Sequence, residues 1–357
     1  MNMRNGLSKY TVRAALAVLA ALLCYASVST ISAQGSMTGE WILEMKPGTD
    51  FVYFSIHRRS ERGGTHSSSS DIRADSLKGL SAAQASGNGS AVSFQVVRDA
   101  GTLNCEGWFK QGKGSGSFTF VANQSFAAEM RSLGYEQLSD EKLFAMAIHD
   151  IGLTFIRELN ALGYDHLTTD NLFAMRIHGA DPQFIKAMKD EGYDRVPVDN
   201  LVAMRIHGVK PEFIGELKSL GYEHPPIDQL VAMRIHGVST EFVKGLQEQG
   251  YQQPPIDQLV AMRIHGVKNE FIKELKELGY DRISIDQLVA MRIHGVSTEF
   301  VKEIKALGFD RVPADQLVSM RIHGVSSAFI QKMKARGFTD ASIDQLIELK
   351  IHGYDKE

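Results

Sequence analysis

Eight histidines recur at a constant interval of 29 residues, and most positions in the C-terminal two-thirds of the chain keep the same interval. They are His149, His178, His207, His236, His265, His294, His323 and His352. A phenylalanine opens each interval, from Phe126 to Phe329, so eight units fill 126–357. Such a period is typical of a repeat array, in which each unit buries its apolar side against its neighbours.

Each unit is predicted to contain two helices that end at glycines. Apolar residues at 300, 301, 304 and 307 share one helix face, and Gly308 follows where a left-handed backbone ends a helix. A second, shorter helix is predicted over about 314–323. Helices of about ten residues are not stable alone. We therefore expect an α-solenoid of eight two-helix repeats over 126–357, with the second helix buried on several sides, Ile235 included.

Residues 40–122 predict a small antiparallel β domain, either a sheet or a sandwich of about five to seven strands. Runs rich in aromatic and β-branched residues occupy 41–45, 51–57, 92–97, 102–109 and 117–121. Asp99-Ala100-Gly101 predicts a hairpin turn, and the serine run 67–70 predicts a loop tip. The fold class is therefore α+β multidomain, with the β domain followed by the solenoid.

The N-terminus predicts an export signal peptide over residues 1–33, with cleavage after Ala33. Three basic residues precede the apolar stretch 14–26, which is shorter than the ~20 residues of a membrane span. We expect a periplasmic or secreted protein without membrane insertion after cleavage; an uncleaved N-terminal anchor is the alternative. Cys105 is then the only mature cysteine, and we expect a buried apolar residue rather than a reactive thiol.

The charge balance argues against a nucleic-acid partner. Loss of the leader changes the net charge from −3 to −6, and the range 126–357 holds 27 basic and 34 acidic residues. Nucleic-acid binders present a basic surface instead.

Three alternatives are open for the histidine column: helix closure, which we favour, contact with a partner, and metal binding. Stacked helices lie ~8–10 Å apart, whereas zinc–nitrogen bonds measure ~2 Å, so neighbouring histidines are poorly placed to share an ion. We expect no metal and no cofactor. The candidate partner-contact histidines are His178, His207, His236, His265, His294 and His323. In the first unit His149-Asp150 replaces the usual His-Gly, and we interpret it as a helix-end variant and an irregular candidate site.

A basic column precedes the histidines in the last turn of the second helix, where the helix dipole favours cations. Its candidate contact residues are Arg176, Arg205, Arg234, Arg263, Arg292 and Arg321, and Lys350 continues it. The column forms either a positive stripe for an anionic partner or ion pairs with the aspartates from Asp199 to Asp315 or the glutamates from Glu212 to Glu299. The acidic balance favours ion pairs. The methionine column, Met146 to Met320, is predicted to fill the core.

The sequence contains no HExxH, GxSxG, P-loop, GxGxxG or CxxC motif, so we expect no enzyme. The repeat DQLVAMRIHGV (228–238, 257–267 and 286–296), with EFIKELKELGYD after it, resembles a helical repeat of bacterial exported proteins. It also resembles the C-terminal repeat extensions of β-lactam-sensor-type membrane metallopeptidases. The segments 98–102, 105–107 and 114–118 resemble the β region that precedes those repeats. The resemblance implies the fold, but it does not carry over peptidase activity, because HExxH and several membrane spans are missing.

We therefore expect an exported protein–protein interaction scaffold at the cell envelope that binds a protein partner through its repeat surface. This step from fold to role is an analogy. The alternative is an envelope ligand-binding or sensor module in which the β domain holds a glycan or a peptide. The sequence leaves the oligomeric state open.

Overall fold

The computed structural model describes residues 37–59 and 65–354. Contacts within the chain divide it into two units, Met1–Gly152 and Leu153–Glu357. The predicted signal peptide and its cleavage point lie outside the described residues. Within the described part of the chain, no helix is long and apolar enough to cross a bilayer.

The first unit contains one curled antiparallel sheet. Its strands are β1 (Met37–Met45), β2 (Phe51–Arg59), β3 (Thr65–Arg73), β4 (Leu77–Lys78), β5 (Asn88–Arg98), β6 (Gly101–Lys110) and β7 (Lys113–Ala122). Their order across the sheet is β3-β2-β1-β7-β6-β5-β4. A short helix, α1 (Ala82–Ser86), lies between β4 and β5 in the chain. The predicted antiparallel β domain is confirmed as a seven-stranded sheet.

Side chains alternate between a buried and an exposed face of the sheet. In β1, Trp41 and Leu43 are fully buried, whereas Ile42 between them is 46% exposed. The Trp41 ring meets Phe94 edge-on at 5.0 Å and stacks with Phe109 at 5.9 Å. Its indole N–H donates to two backbone carbonyls at 3.0 and 3.2 Å, so the buried ring keeps its polar atom satisfied.

Strand β3 corrects the prediction of a loop tip at 67–70. It pairs with β2 along its whole length, with Ser68 opposite Ile56 and Ser70 opposite Phe54. Strand β3 lies at the edge of the sheet, where polar side chains are favoured because they limit further pairing. The serine run is therefore part of a strand that is held by its backbone hydrogen bonds.

The predicted turn at Asp99-Ala100-Gly101 is confirmed, because β5 and β6 form a hairpin around it. A tight approach between β6 and β7 depends on glycine. Gly107 lies opposite Gly116, and a Cβ atom added to Gly116 would lie 1.9 Å from the Glu106 carbonyl oxygen. Any larger residue at 116 would force these two strands apart.

The two helices of the first repeat, α2 (Gln124–Ser132) and α3 (Asp140–Ile148), belong to the first unit. Phe144 of α3 stacks on Phe118 at 5.8 Å and meets Phe120 edge-on at 5.2 Å. Arg58 of β2 is only 8% exposed; its guanidinium lies over the Phe144 ring and pairs with Glu141 at 3.0 Å. These contacts attach the first repeat to the sheet.

Each of the eight repeats contains an A helix followed by a B helix. The A helices are α2, α4 (Leu153–Ala161), α6 (Pro182–Asp190), α8 (Pro211–Ser219), α10 (Thr240–Glu248), α12 (Asn269–Glu277), α14 (Thr298–Ala306) and α16 (Ser327–Ala335). The B helices are α3, α5 (Thr169–His178), α7 (Val198–Ile206), α9 (Ile227–Ile235), α11 (Ile256–Ile264), α13 (Ile285–Ile293), α15 (Ala314–Ile322) and α17 (Ile343–Ile351). The predicted eight two-helix repeats are confirmed, although the B helix is not shorter than the A helix.

Helix ends follow the turn chemistry that the sequence predicts. Gly237 after α9 has φ 69°, and the Val238 N–H donates to the Met233 carbonyl at 2.8 Å. This backward bond across a left-handed glycine satisfies a free carbonyl at the helix end. At the other end of a B helix, Ser284 and Gln287 form a reciprocal cap.

The B helices of the repeats bury the same apolar positions. In α9, Leu230 and Met233 are fully buried, and the equivalent residues are buried in the other B helices. The methionine column is therefore core, as predicted, and each member has no exposed surface: Met146, Met175, Met204, Met233, Met262, Met291 and Met320.

Tyrosine hydroxyls bond successive repeats together. The Tyr222 Oη donates to the Pro254 carbonyl of the next repeat at 2.7 Å. Four other repeats make the same bond at 2.7–2.8 Å, from Tyr164, Tyr193, Tyr251 and Tyr280. Burial raises the pKa of Tyr222 to about 12. These five tyrosines thus serve packing between repeats.

Candidate interaction surface

One apolar side chain per repeat is left uncovered in the last turn of the B helix. We call this column the isoleucine stripe: Ile177, Ile206, Ile235, Ile264, Ile293, Ile322 and Ile351. Its members are between 51% and 57% exposed, and Ile235 is 53% exposed. The prediction that Ile235 is buried is therefore wrong.

The exposure of Ile235 follows from its place on the helix. Leu230 and Met233 are three residues apart and define the buried face of α9. Ile235 lies two residues beyond Met233, which is about 200° around the helix axis. The sequence contained this signal, because a residue at that spacing from a buried pair faces away from it.

The histidine column stands at the ends of the B helices, as predicted. His236 is the C-terminal cap of α9, and its backbone N–H donates to the Ala232 carbonyl at 3.0 Å. The side chains of the six candidate contact histidines are exposed, each next in sequence to a member of the isoleucine stripe. Within the described residues, no group of three or more histidines, cysteines, aspartates or glutamates is placed to hold a metal ion.

The arginine column lies over aromatic rings. Each arginine stacks on the phenylalanine that opens its own repeat. The distances from the guanidinium carbon to the ring centre are 5.0–5.2 Å for Arg176 over Phe155, Arg205 over Phe184, Arg234 over Phe213, Arg263 over Phe242, Arg292 over Phe271 and Arg321 over Phe300. Lys350 takes the same position over Phe329 at 4.9 Å.

Five of the arginines do not form the ion pairs that the acidic balance favoured. Among the described residues, Arg205, Arg234, Arg263, Arg292 and Arg321 have no carboxylate partner. The aromatic ring attracts the cation through its negative face, which contributes ~0.5–1 kcal/mol at an exposed site. The arginine charge therefore remains available at the surface.

The preceding repeat holds the other side of each guanidinium. The Arg205 Nε donates to the His178 carbonyl at 3.4 Å, and Arg234 lies against the turn glycine Gly208. The carbonyls of a helix C-terminus carry partial negative charge, so this position suits a cation. The Nε atoms of Arg263 and Arg292 are buried without a hydrogen bond in the described structure. Contacts with the phenylalanine ring and with the turn of the preceding repeat, more than hydrogen bonds, hold the arginine side chains.

Acidic side chains occupy the opposite end of the B helices. Asp286, Asp315 and Asp344 lie in the first turns of α13, α15 and α17, where the helix dipole favours them. Each accepts a hydrogen bond from a glutamine of the preceding repeat, at 3.1–3.4 Å. Positive and negative charge are thus separated along each B helix, although the array as a whole is acidic.

The irregular pair His149-Asp150 belongs to the first unit. His149 caps α3, and Asp150 adopts a left-handed backbone with φ 53°, the conformation that glycine takes in other repeats. The Asp150 carboxylate pairs with Arg98 of β5 at 3.3 Å. The pair is a helix-end variant that ties the first repeat to the sheet.

The exposed face of the sheet carries a second apolar group. Trp108 is 62% exposed, and Ile42 lies in the same cross-strand row with Ser115 between them. Cys105 lies on the buried face, and burial raises the pKa of its thiol to about 12. The predicted buried, unreactive cysteine agrees with this environment.

No family model matches the chain, and a search of curated proteins found no similar sequence. The function is therefore inferred from the surface itself.

Proposed function

We propose that this chain is an exported protein–protein interaction scaffold of the cell envelope, which binds a protein partner through its repeat surface. The isoleucine stripe carries the proposal. Apolar side chains scattered singly over a surface need no explanation, but contiguous ones mark interaction sites. Here the half-exposed apolar residue recurs at one position in seven successive repeats.

The free energy gained by covering the isoleucine stripe favours a partner that contacts several repeats. Complete burial of an isoleucine contributes ~1.5–3 kcal/mol, so covering the exposed half contributes about 1 kcal/mol per repeat. Association costs at least about 4 kcal/mol in lost freedom of motion. One repeat is therefore too weak alone, whereas a partner lying along several repeats gains enough from the stripe and its neighbours.

Site-specific photo-crosslinking in the native cell tests this role. A photoreactive amino acid replaces Ile235, and a matched variant carries it at Lys244, an exposed residue of the A helix α10. We expect a discrete adduct with a protein partner from position 235 and none from position 244. Adducts of equal yield from both positions, or none from position 235, would contradict the proposal.

The envelope location is tested separately, because it depends on residues 1–33. A C-terminally tagged chain is fractionated, and the N-terminus of the exported product is sequenced. We expect the mature chain to begin at Gln34. A full-length product that stays with the membrane fraction would support an uncleaved anchor instead.

A second candidate role follows from Trp108. An exposed tryptophan on the outer sheet face, with Ile42 in the same row and polar side chains nearby, offers a surface on which a sugar ring or a peptide side chain can pack. This favours a ligand-binding role for the β domain. Trp108→Ala should then abolish binding of envelope glycan fragments, measured by calorimetry on the full chain, with Val121→Ala as the control on the same face.

A further inference from the structure

The chemistry of the isoleucine stripe indicates the kind of segment that it binds. We propose that the stripe and the arginine column together bind an extended acidic segment of a protein partner, with one carboxylate per repeat. This inference rests on the proposed scaffold function and specifies its partner class.

The charge of the arginine column favours an acidic partner. The five arginines from Arg205 to Arg321 have no carboxylate partner among the described residues, and each is held over a phenylalanine ring. A guanidinium that is already positioned loses little freedom when it forms a two-pronged pair with a carboxylate. The surface therefore presents a row of prepared cationic sites, each beside an apolar side chain.

The spacing of the B helices favours an extended partner segment. Neighbouring B helices contact one another along the array, and packed helices lie ~8–10 Å apart. A polyproline II segment rises ~3.1 Å per residue with three residues per turn, so every third side chain returns to the same side after ~9 Å. A β-strand fits less well, because side chains on one face recur every ~6.6 Å.

Opposite charges at the two ends of the B helices define where an acidic segment can lie. The aspartates at the N-terminal ends repel an acidic segment, whereas the arginines at the C-terminal ends attract it. A segment with an acidic residue at every third position is therefore confined to the edge that carries the isoleucine stripe. Residues between the acids are placed to cover the isoleucines. A nucleic acid is less suited, because it offers no side chains for this apolar row.

Peptide binding to the full mature chain tests the inference. The probe is a fluorescent peptide with glutamate at every third position and with proline and valine at the two positions between glutamates. The comparison peptide has the same composition, but its glutamates are clustered. We expect the periodic peptide to bind more tightly, with affinity that falls as salt rises, whereas equal affinity for both peptides would overturn the spacing argument.

Three variants separate the arginine contacts from general charge. Arg205→Gln, Arg234→Gln and Arg263→Gln combined should weaken binding at least about tenfold. The same three positions changed to lysine should bind with intermediate affinity, because lysine keeps the charge over the ring, as Lys350 does over Phe329, but cannot form the two-pronged pair. Lys186→Gln, Lys244→Gln and Lys273→Gln combined remove equal charge from exposed A-helix positions and should change little. Circular dichroism confirms that each variant is folded.

The remaining outcomes each decide the inference. Unchanged peptide affinity in the arginine-to-glutamine variant, or tighter binding of single-stranded DNA than of the peptide, would overturn it. If photo-crosslinking from Ile235 still captures a protein while the periodic peptide fails to bind, the scaffold function stands and the acidic partner class is wrong. If crosslinking also fails, the scaffold function itself is wrong.

Discussion

Two alanine substitutions in the same B helix test the assignment of buried and exposed faces. Leu230 is fully buried in α9, whereas Ile235, five residues later, is 53% exposed. Both are aliphatic side chains of equal size in the same repeat. Leu230→Ala and Ile235→Ala therefore differ mainly in the surroundings of the atoms that they remove.

The expected magnitudes differ several-fold. Removing a fully buried leucine costs ~2–5 kcal/mol, because the surrounding residues close the cavity only in part. Ile235 buries about half of its surface, so its loss costs about 1 kcal/mol by transfer alone. Alanine is also a better helix former than isoleucine by up to ~0.7 kcal/mol, which offsets part of that cost. The net effect of Ile235→Ala should be below ~1 kcal/mol.

Hydrogen exchange is the suitable assay, since repeat arrays do not always unfold in one step. Exchange of the α9 amides reports the local free energy of opening, and urea unfolding followed by circular dichroism reports the whole chain. Leu230→Ala should speed exchange in α9 and its neighbours strongly, and Ile235→Ala should change it little. Equal destabilisation by the two variants would refute the exposed position of the isoleucine stripe.

Three further predictions concern single groups. Tyr222→Phe should destabilise the array by ~0.5–1.5 kcal/mol, since it removes one bond between repeats, and urea unfolding measures this. Burial raises the folded pKa of Tyr222 to about 12, whereas its unfolded value is about 10. The contribution of Tyr222 to stability is therefore complete below pH ~10 and is lost as pH rises through about 12. Stability measured against alkaline pH for wild type and Tyr222→Phe should show this difference. Ser284→Ala should cost about 1 kcal/mol by removing the cap of α13, and a neutral melting temperature would contradict that role. Cys105 should resist thiol reagents until the chain unfolds. If the folded chain were labelled as fast as a free thiol, the burial of Cys105 would be disproved.

Much of the fold was predictable from local chemistry. The constant interval defined the repeats, glycines marked the helix ends, and Ser284 with Gln287 marked a helix start. These features depend on a few neighbouring residues, so the sequence displays them directly. Strand β3 escaped prediction because its serines pair through the backbone, with no apolar alternation to mark it.

The candidate surface was predictable only in part. The columns of histidine and arginine were visible as repeated residues at the ends of the B helices. The partner of each arginine was not, because Arg234 and Phe213 lie 21 residues apart and the acids in the same repeat offered equally plausible charges. Burial of Ile235 was predicted wrongly, since the apolar character of the B helix was taken as evidence for burial on several sides.

By itself, the sequence determined the period, the two-helix unit and the turns, because backbone preferences and helix caps act over a few residues. Only the tertiary structure decided which repeated side chains remain at the surface. Exposure depends on how the A helix and the preceding repeat pack around each B helix, which no local pattern specifies. That packing placed the arginines over phenylalanine rings and left the isoleucine stripe uncovered.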